Sequence, residues 1–253
     1  MKFAKHITFF YDVSRFIYLN EVINAANRYS FPTDIFIHTN INITLTDLAQ
    51  YTNGKLEMVI HDLTNENPFY LTWKCRDLIK KQYEENQYDV YMYVEDDIMV
   101  PMTAINYWLQ YKDLIGEYNL GFTRIEVNQA GIEVLTDNTR PMTHIFEIDQ
   151  RKYVLNDANP YCAFWIYEKN TMGRWINSPW YDIRSIHGYG EREASAIGLH
   201  SPHVPWFKGT VIPLEALEGT MNVGCKIYHL PNNYALRSSP GSHGSVPFLN
   251  AIC

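Results

Sequence analysis

The sequence predicts an α/β protein, with a mostly parallel central sheet flanked by helices in the first half and a mixed arrangement in the second. Three observations carry this prediction. Through residues 1–118, runs rich in β-branched and aromatic residues alternate with segments of helical period. Val90-Tyr91-Met92-Tyr93-Val94 is apolar without alternation, as a parallel strand buried on both faces requires, which places it centrally in the sheet. From Asn119 onward the texture changes to short strands, with no Pro/Gly/Ser linker and no internal repeat between the halves.

The first strand spans residues 6–11 on this reading, and Phe16, Leu19, Val22, Ile23 and Ala26 then recur at helical spacing. Residues 34–39 and 56–61 are the next two strands. After Pro68, the residues Leu71, Cys75, Leu78, Ile79 and Tyr83 form one stripe of a second helix. Residues 90–94 follow as the fourth strand, and Ile105, Trp108, Leu109 and Ile115 supply the face of a third helix. The second half reads as strands over 120–127, 132–136, 144–148, 161–167, 211–217 and 225–230, with a helical signal only over 191–199. The tail beyond Pro231, with Ser238-Ser239-Pro240-Gly241-Ser242, reads as loop or mobile lid.

Composition and spacing exclude several classes of function. The formal charge is −7 and no run of Lys or Arg exceeds two, so the counterion-releasing basic face of a nucleic-acid binder is not expected. Cys75, Cys162, Cys225 and Cys253 lack a C-x-x-C spacing, which leaves free thiols in a reducing compartment as the expectation. No signal-peptide pattern opens the sequence and no apolar run reaches membrane-spanning length, so a cytoplasmic protein without a membrane span is expected. Asn42-Ile43-Thr44 is then a chance glycosylation triplet. The first glycine is Gly54, too late for a dinucleotide fingerprint after the first strand. Gly219 and Gly224 have P-loop spacing, but Cys225-Lys226 follow where Lys and then Ser or Thr are required.

The strongest chemical signal is Glu95-Asp96-Asp97 at the end of the apolar strand. Open α/β sheets bind ligands at the carboxyl edge of their strands. Three like charges packed there repel one another unless a cation neutralises them, so the arrangement asks for a divalent metal of the oxygen-preferring kind, Mg²⁺ or Mn²⁺. The bland alternative is an acidic, solvated loop after a core strand.

Segment 90–98 resembles the D-x-D-type motif of the GT-A superfamily of glycosyltransferases, which hold a nucleotide-sugar pyrophosphate through a metal. Carried over, Asp97 matches the metal-ligating acid, and Glu95 and Asp96 match acids near the ribose and the metal's water shell. Glu95 departs from the usual Asp. Leu71-Thr72-Trp73-Lys74-Cys75-Arg76 narrows the resemblance to a group of glycosyltransferase-like proteins, some encoded by large DNA viruses, that pair L-T-W-K-x-R with Y-x-E-D-D-I. Lys74 and Arg76 would contact phosphate or base near a helix start, or else be snorkelling surface cations. Tyr228-His229-Leu230-Pro231-Asn232-Asn233 matches the group's H-L-P-N-N pattern and implies His229 as a second metal ligand. Gly190-Glu191-Arg192-Glu193 opens a helix where inverting members place a general base, here Glu193 in preference to Glu191. A role in complementing the helix dipole is the alternative for both. Tyr11, Asp12 and Asn40 fall where the superfamily holds the nucleoside.

The resemblance covers residues 1–235 and implies one GT-A-like domain, with 1–118 as the nucleotide-binding half, 119–235 as the mixed acceptor half and 236–253 as tail or lid. It implies a glycosyltransferase using Mn²⁺ or Mg²⁺ and a UDP-sugar, UDP-glucose by default, with a glycan or other hydroxyl acceptor. A nucleotidyl- or phosphoryl-transferring enzyme and an inactive nucleotide-sugar-binding module are the alternatives. Trp165, Trp175, Trp180, Tyr181 and Trp206 read mainly as core, with sugar stacking as the other possibility. His200-x-x-His203 reads as a loop.

Overall fold

The computed structural model describes residues 1–182, 190–197, 209–215 and 219–253. His200, His203, Trp206 and the ends of the elements expected over 191–199 and 211–217 lie outside the described residues. The chain forms two compact units, Met1–Ile98 with Ala163–Gly198 and Met99–Cys162 with Leu199–Cys253. Each is assembled from separated stretches, whereas the sequence led us to expect one continuous domain over 1–235.

Numbered along the chain, the first unit opens with β1 (Phe3–Phe9), α1 (Phe16–Asn27), β2 (Thr33–Thr39), β3 (Leu56–Ile60), α2 (Cys75–Glu84) and β4 (Val90–Glu95). Next come β5 (Ile98–Met99), α3 (Met102–Tyr111), β6 (Asn119–Leu120), β7 (Thr123–Val127), β8 (Glu133–Leu135), β9 (His144–Ile148) and β10 (Arg151–Leu155). The chain returns to the first unit with β11 (Phe164–Glu168), α4 (Lys169–Ile176) and α5 (Glu191–Ile197). It ends with β12 (Thr210–Pro213), β13 (Lys226–His229) and β14 (Val246–Pro247).

The fold is α/β with several mixed sheets. The sheet of the first unit has the order β11-β4-β1-β2-β3. Its β1–β2, β1–β4 and β2–β3 pairs are parallel, and β11 joins β4 antiparallel at the edge. Successive strands step outward from β1 to β3, and α2 then carries the chain back across to β4 on the other side of β1. The order therefore reverses between β1 and β4, the position where such sheets open a ligand crevice beyond their carboxyl ends.

Burial explains the strand limits. β1 begins at Phe3, three residues before the expected start, because Phe3 and Ala4 are buried and pair with Thr33 and Asp34. It stops at Phe9, and the exposed Phe10 begins a loop. Leu19, Val22, Ile23 and Ala26 of α1 are fully buried, each of the larger ones contributing about 1.5–3 kcal/mol. The expected stripe from Leu71 to Tyr83 divides into a 3₁₀ segment, Pro68–Trp73, and α2.

Polar residues share this core. Lys5 is fully buried, donating to Val22 O at 3.2 Å and Tyr29 Oη at 3.3 Å, and burial pushes its ammonium down to about 7. Three imidazoles run across neighbouring strands: His6 Nδ1 meets His38 Nε2 at 3.0 Å, and His38 Nδ1 meets His61 Nε2 at 2.9 Å. Gln82 Oε1 accepts from His6 Nε2 at 3.1 Å, which sets the direction of the row: each ring donates through Nε2, and His6 and His38, which accept at Nδ1, are neutral.

The second unit diverges most from expectation. The strand expected over 120–127 breaks at Gly121, where a Cβ would come within 2.7 Å of Thr210 Cγ2, and its two pieces enter different sheets. β6 belongs to β6-β12-β10-β9, and β7 to β14-β8-β7-β13-β5. β10 was not expected; it pairs with β9 through a tight turn in which Asp149 and Gln150 adopt φ of 47° and 65°, the geometry of a two-residue hairpin. α4 was also not expected, since Gly173 weakens its helical signal; a Cβ there would come within 2.2 Å of Tyr83 Oη. The tail is not a loop throughout: β14 pairs with β8, Phe248 and Ala251 are buried, and Met142 bridges to Ile252. No helix among the described residues is long and apolar enough to cross a membrane. All four cysteines are free thiols, and only Cys253 is exposed.

Candidate functional site

A pocket of about 330 Å³ opens in the first unit where the strand order reverses. Thr8, Phe10, Asp12 and Arg15 line it from the end of β1, and Glu95 and Asp96 from the end of β4. The segment around Pro68 to Thr72 and Arg192 of α5 supply its other walls. The turn after β1 is shaped locally, for Asp12 Oδ1 accepts from Ser14 N at 2.8 Å and Ser14 Oγ at 2.7 Å, capping the 3₁₀ segment that ends in Arg15.

Charge dominates the pocket. Arg15 donates through Nε to Asp96 Oδ2 and through Nη2 to Asp96 Oδ1 and Asp97 Oδ2, each at 2.8 Å. Burial pushes the Arg15 guanidinium down, but Asp96 and Asp97 outweigh it and hold it above its ordinary value. Burial, reinforced by Asp97 and Glu95, holds Asp96 above the usual carboxylate range against the pull of Arg15. Arg192 Nε lies 4.0 Å from Glu95 Oε2, and its guanidinium sits 5.9 Å from the exposed ring of Phe69. The lining therefore combines two buried carboxylates, Glu95 and Asp96, with two guanidinium groups and an aromatic face.

Of the residues singled out in the sequence, Asp12, Glu95 and Asp96 line this pocket, and Asp97 joins it through Arg15. Tyr11 and Asn40 meet one another: Tyr11 N donates to Asn40 Oδ1 at 2.8 Å, tying together the loops that follow β1 and β2.

Four expected roles meet a different geometry. Arg76 is neither a surface cation nor a pocket residue; it is buried among Trp73, Trp175 and Tyr181, 4.1, 4.8 and 5.2 Å from their rings, and donates to Ser195 O at 3.2 Å. Lys74 pairs with Glu66 at 2.6 Å. Glu191 accepts from Asn67 Nδ2 at 2.8 Å and Tyr70 Oη at 3.2 Å, so it anchors α5 to the segment around Pro68. Glu193 turns back over Gly190, with Oε1 3.8 Å from Arg192 Nη2. Consecutive residues on a helix point about 100° apart, and it is Arg192, between the two glutamates, that faces the pocket. Of the aromatic residues read as core, Trp165, Trp175 and Tyr181 are buried, the two tryptophans meeting edge to face at 5.0 Å, whereas Trp180 is half-buried.

His229 belongs to the second unit. It was expected to end a strand at the same sheet edge as Asp97, but β13 and β4 lie in different sheets. β13 pairs with β7 in a sheet of the second unit's strands and β5. The His229 ring is buried, and its Nδ1 hydrogen-bonds Glu126 Oε1 on β7; Glu126 Oε2 accepts from Ala235 N at 2.5 Å. A carboxylate on Nδ1 orients the ring, the support that metal-binding histidines commonly have. Among the described residues, no three His, Cys, Asp or Glu side chains cluster as a metal site.

Sequence reasoning missed Arg15, Arg192, Phe69 and Glu126. Only Arg15 carried a local signal, as the first cation after the first strand and directly behind a capping aspartate. No family model matches this sequence, and neither does any curated protein.

Proposed function

We propose that this protein is a glycosyltransferase that takes a nucleotide-sugar, a UDP-sugar with UDP-glucose as default, and passes the sugar to a glycan or other hydroxyl acceptor. The observation that carries the reading is the meeting of Glu95-Asp96-Asp97 with Arg15 and Arg192 in a pocket at the reversal of strand order. A nucleoside diphosphate brings at least two negative charges and a flat base. The pocket supplies guanidinium groups for the first and the Phe69 ring for the second. The α/β fold, with three parallel strand pairs around β1, supports a GT-A-like arrangement.

Mn²⁺ or Mg²⁺ belongs to the proposal. Two carboxylates at this strand end, Asp96 and Asp97, already face an internal cation, Arg15, which favours positive charge at that place. Bound between Asp97 and a diphosphate, such an ion would neutralise developing phosphate charge.

Calorimetry with UDP-glucose tests the reading. Donor binding is expected in Mn²⁺, with loss in EDTA and in Asp97→Asn; tight binding that ignores both would overturn the metal-dependent form. A second reading, an inactive nucleotide-sugar-binding module, is favoured by one observation: Glu191 is engaged by Asn67 and Tyr70, and Glu193 turns back on its own helix. Donor hydrolysis or sugar transfer measured with Glu193→Gln and Glu191→Gln separates the two. Binding without turnover in the wild type supports the module.

A further inference from the structure

We infer that Trp73 is a positioning residue for the pocket: on one ridge with Tyr70 and Arg76, it latches α5 to the pocket wall and so sets where the Arg192 guanidinium meets the ligand's phosphates. The inference rests on the nucleotide-sugar reading of this pocket and adds how one of its cations is placed.

The wall is the 3₁₀ segment Pro68–Trp73. With about three residues per turn, its side chains stack at i and i+3. Pro68 with Leu71 and Phe69 with Thr72 form two of these stacks, and all four line the pocket. Asn67, Tyr70 and Trp73 form the third, which continues one turn further to Arg76 and meets α5. Each of its four members bonds that helix. Asn67 Nδ2 and Tyr70 Oη donate to the Glu191 carboxylate at 2.8 and 3.2 Å, Trp73 Nε1 donates to Glu191 O at 2.8 Å, and Arg76 Nη2 donates to Ser195 O at 3.2 Å.

α5 has seven residues, and helices shorter than about 12–15 residues are marginal on their own in water. Its placement therefore depends on what grips it. Ala194 and Ser195 stand three and four residues after Glu191, so the three share one face. That face meets the ridge: Trp73 and Ala194, both buried, pack together with Tyr70 against them. Arg192 lies about 100° further round the helix and lines the pocket. The carbonyl that Trp73 holds belongs to the peptide group joining Glu191 to Arg192. A displacement there passes to the Arg192 backbone with no flexible side chain between.

Trp73 as a core residue alone is the competing account, and a double-mutant cycle separates the two. Trp73→Phe keeps an aromatic ring beside Ala194 and Arg76 and removes the N–H donor. Calorimetry with UDP in Mn²⁺ compares wild type, Trp73→Phe, Arg192→Ala and the double variant. UDP binding is expected to weaken about fivefold in Trp73→Phe and about tenfold in Arg192→Ala, the size of one hydrogen bond in each case. Added to Arg192→Ala, Trp73→Phe is expected to weaken binding by less than about twofold, because the residue it acts through is gone. Losses that multiply to about fiftyfold, or wild-type affinity in either single variant, overturn this inference and leave the nucleotide-sugar reading standing. Wild type that binds no UDP overturns both. Circular dichroism establishes that each variant is folded. Should Trp73→Phe unfold, Tyr70→Phe, which removes the hydroxyl that holds the Glu191 carboxylate, takes its place in the cycle with the same expected and overturning results.

Discussion

Each unit contains an arginine forked onto an aspartate, and the two forks differ in their surroundings. In the second unit Arg124 grips Asp137 through Nε at 3.0 Å and Nη2 at 2.5 Å, with side chains 6% and 8% exposed and the rings of Tyr161 and Tyr234 5.1 and 5.7 Å from the guanidinium. In the first unit Arg15 grips Asp96 with the same fork, but it is shared with Asp97, crowded by Glu95 and open to a pocket. Sealed by aromatic faces, the Arg124–Asp137 fork makes a structural joint between β7 and the segment after β8. The Arg15 fork, shared between two acids at the carboxyl edge of a sheet, instead faces an open pocket. Geometry at the fork is the same; the sharing of the fork and the access to solvent differ.

Removing the arginine from each fork tests that distinction. Arg124→Ala is expected to cost about 3–5 kcal/mol, because it strands Asp137 as a buried, uncompensated charge. Urea unfolding measures it, and a loss below about 1 kcal/mol, the range of exposed pairs, would place Arg124 in the same class as Arg15.

The histidine row provides the next largest effect, since it satisfies burial with no charge at all. Burial holds His6 down to about 3 and, with its imidazole neighbours, holds His38 well below its ordinary value; burial also lowers His61. Between pH 6.5 and about 3 the unfolded chain therefore binds more protons than the folded one. Stability falls as pH drops through that window, by up to about 1.4 kcal/mol per pH unit for each ring that stays neutral. Denaturant midpoints at pH 7, 6 and 5 read the slope, and a flat profile would mean that the row accepts protons in place.

Arg15→Ala is expected to cost only up to about 1 kcal/mol, less than a fully buried charged hydrogen bond because solvent reaches the site. A cost equal to that of Arg124→Ala would erase the comparison. The smallest contrast lies on α5. Glu191→Gln should lose about 1 kcal/mol with its two side-chain hydrogen bonds, whereas Glu193→Gln should stay within about 0.5 kcal/mol, and thermal melts of the pair give the difference.

Parts of this architecture were legible beforehand for local reasons. Residues 90–94 announce a buried strand because no polar residue interrupts them, and Glu95-Asp96-Asp97 announce a charged strand end because nothing apolar follows until Ile98. α1 showed itself through period alone. The site's cations did not, because Arg15 and Arg192 read as ordinary surface charges until their partners are known. Arg76 misled for the same reason, since a cation in a stretch with a family-like pattern looks identical whether it faces phosphate or three aromatic rings. His6, His38 and His61 sit on β1, on β2 and just after β3, so no spacing rule joins them.

By itself the sequence determined which residues are strand, helix or turn over most of the first unit, and that three acids gather at one strand end. Periods of 2 and 3.6 residues and the cost of burying charge act over a few neighbours, so they can be read along the chain. Only the tertiary structure decided which cation meets those acids, which glutamate of α5 turns away, and which sheet receives His229. Arg15 and Asp96 are 81 residues apart, Glu191 and Asn67 are 124 apart, and His229 and Glu126 are 103 apart. Pairings over such distances are chosen by strand order and packing, and no local pattern encodes them.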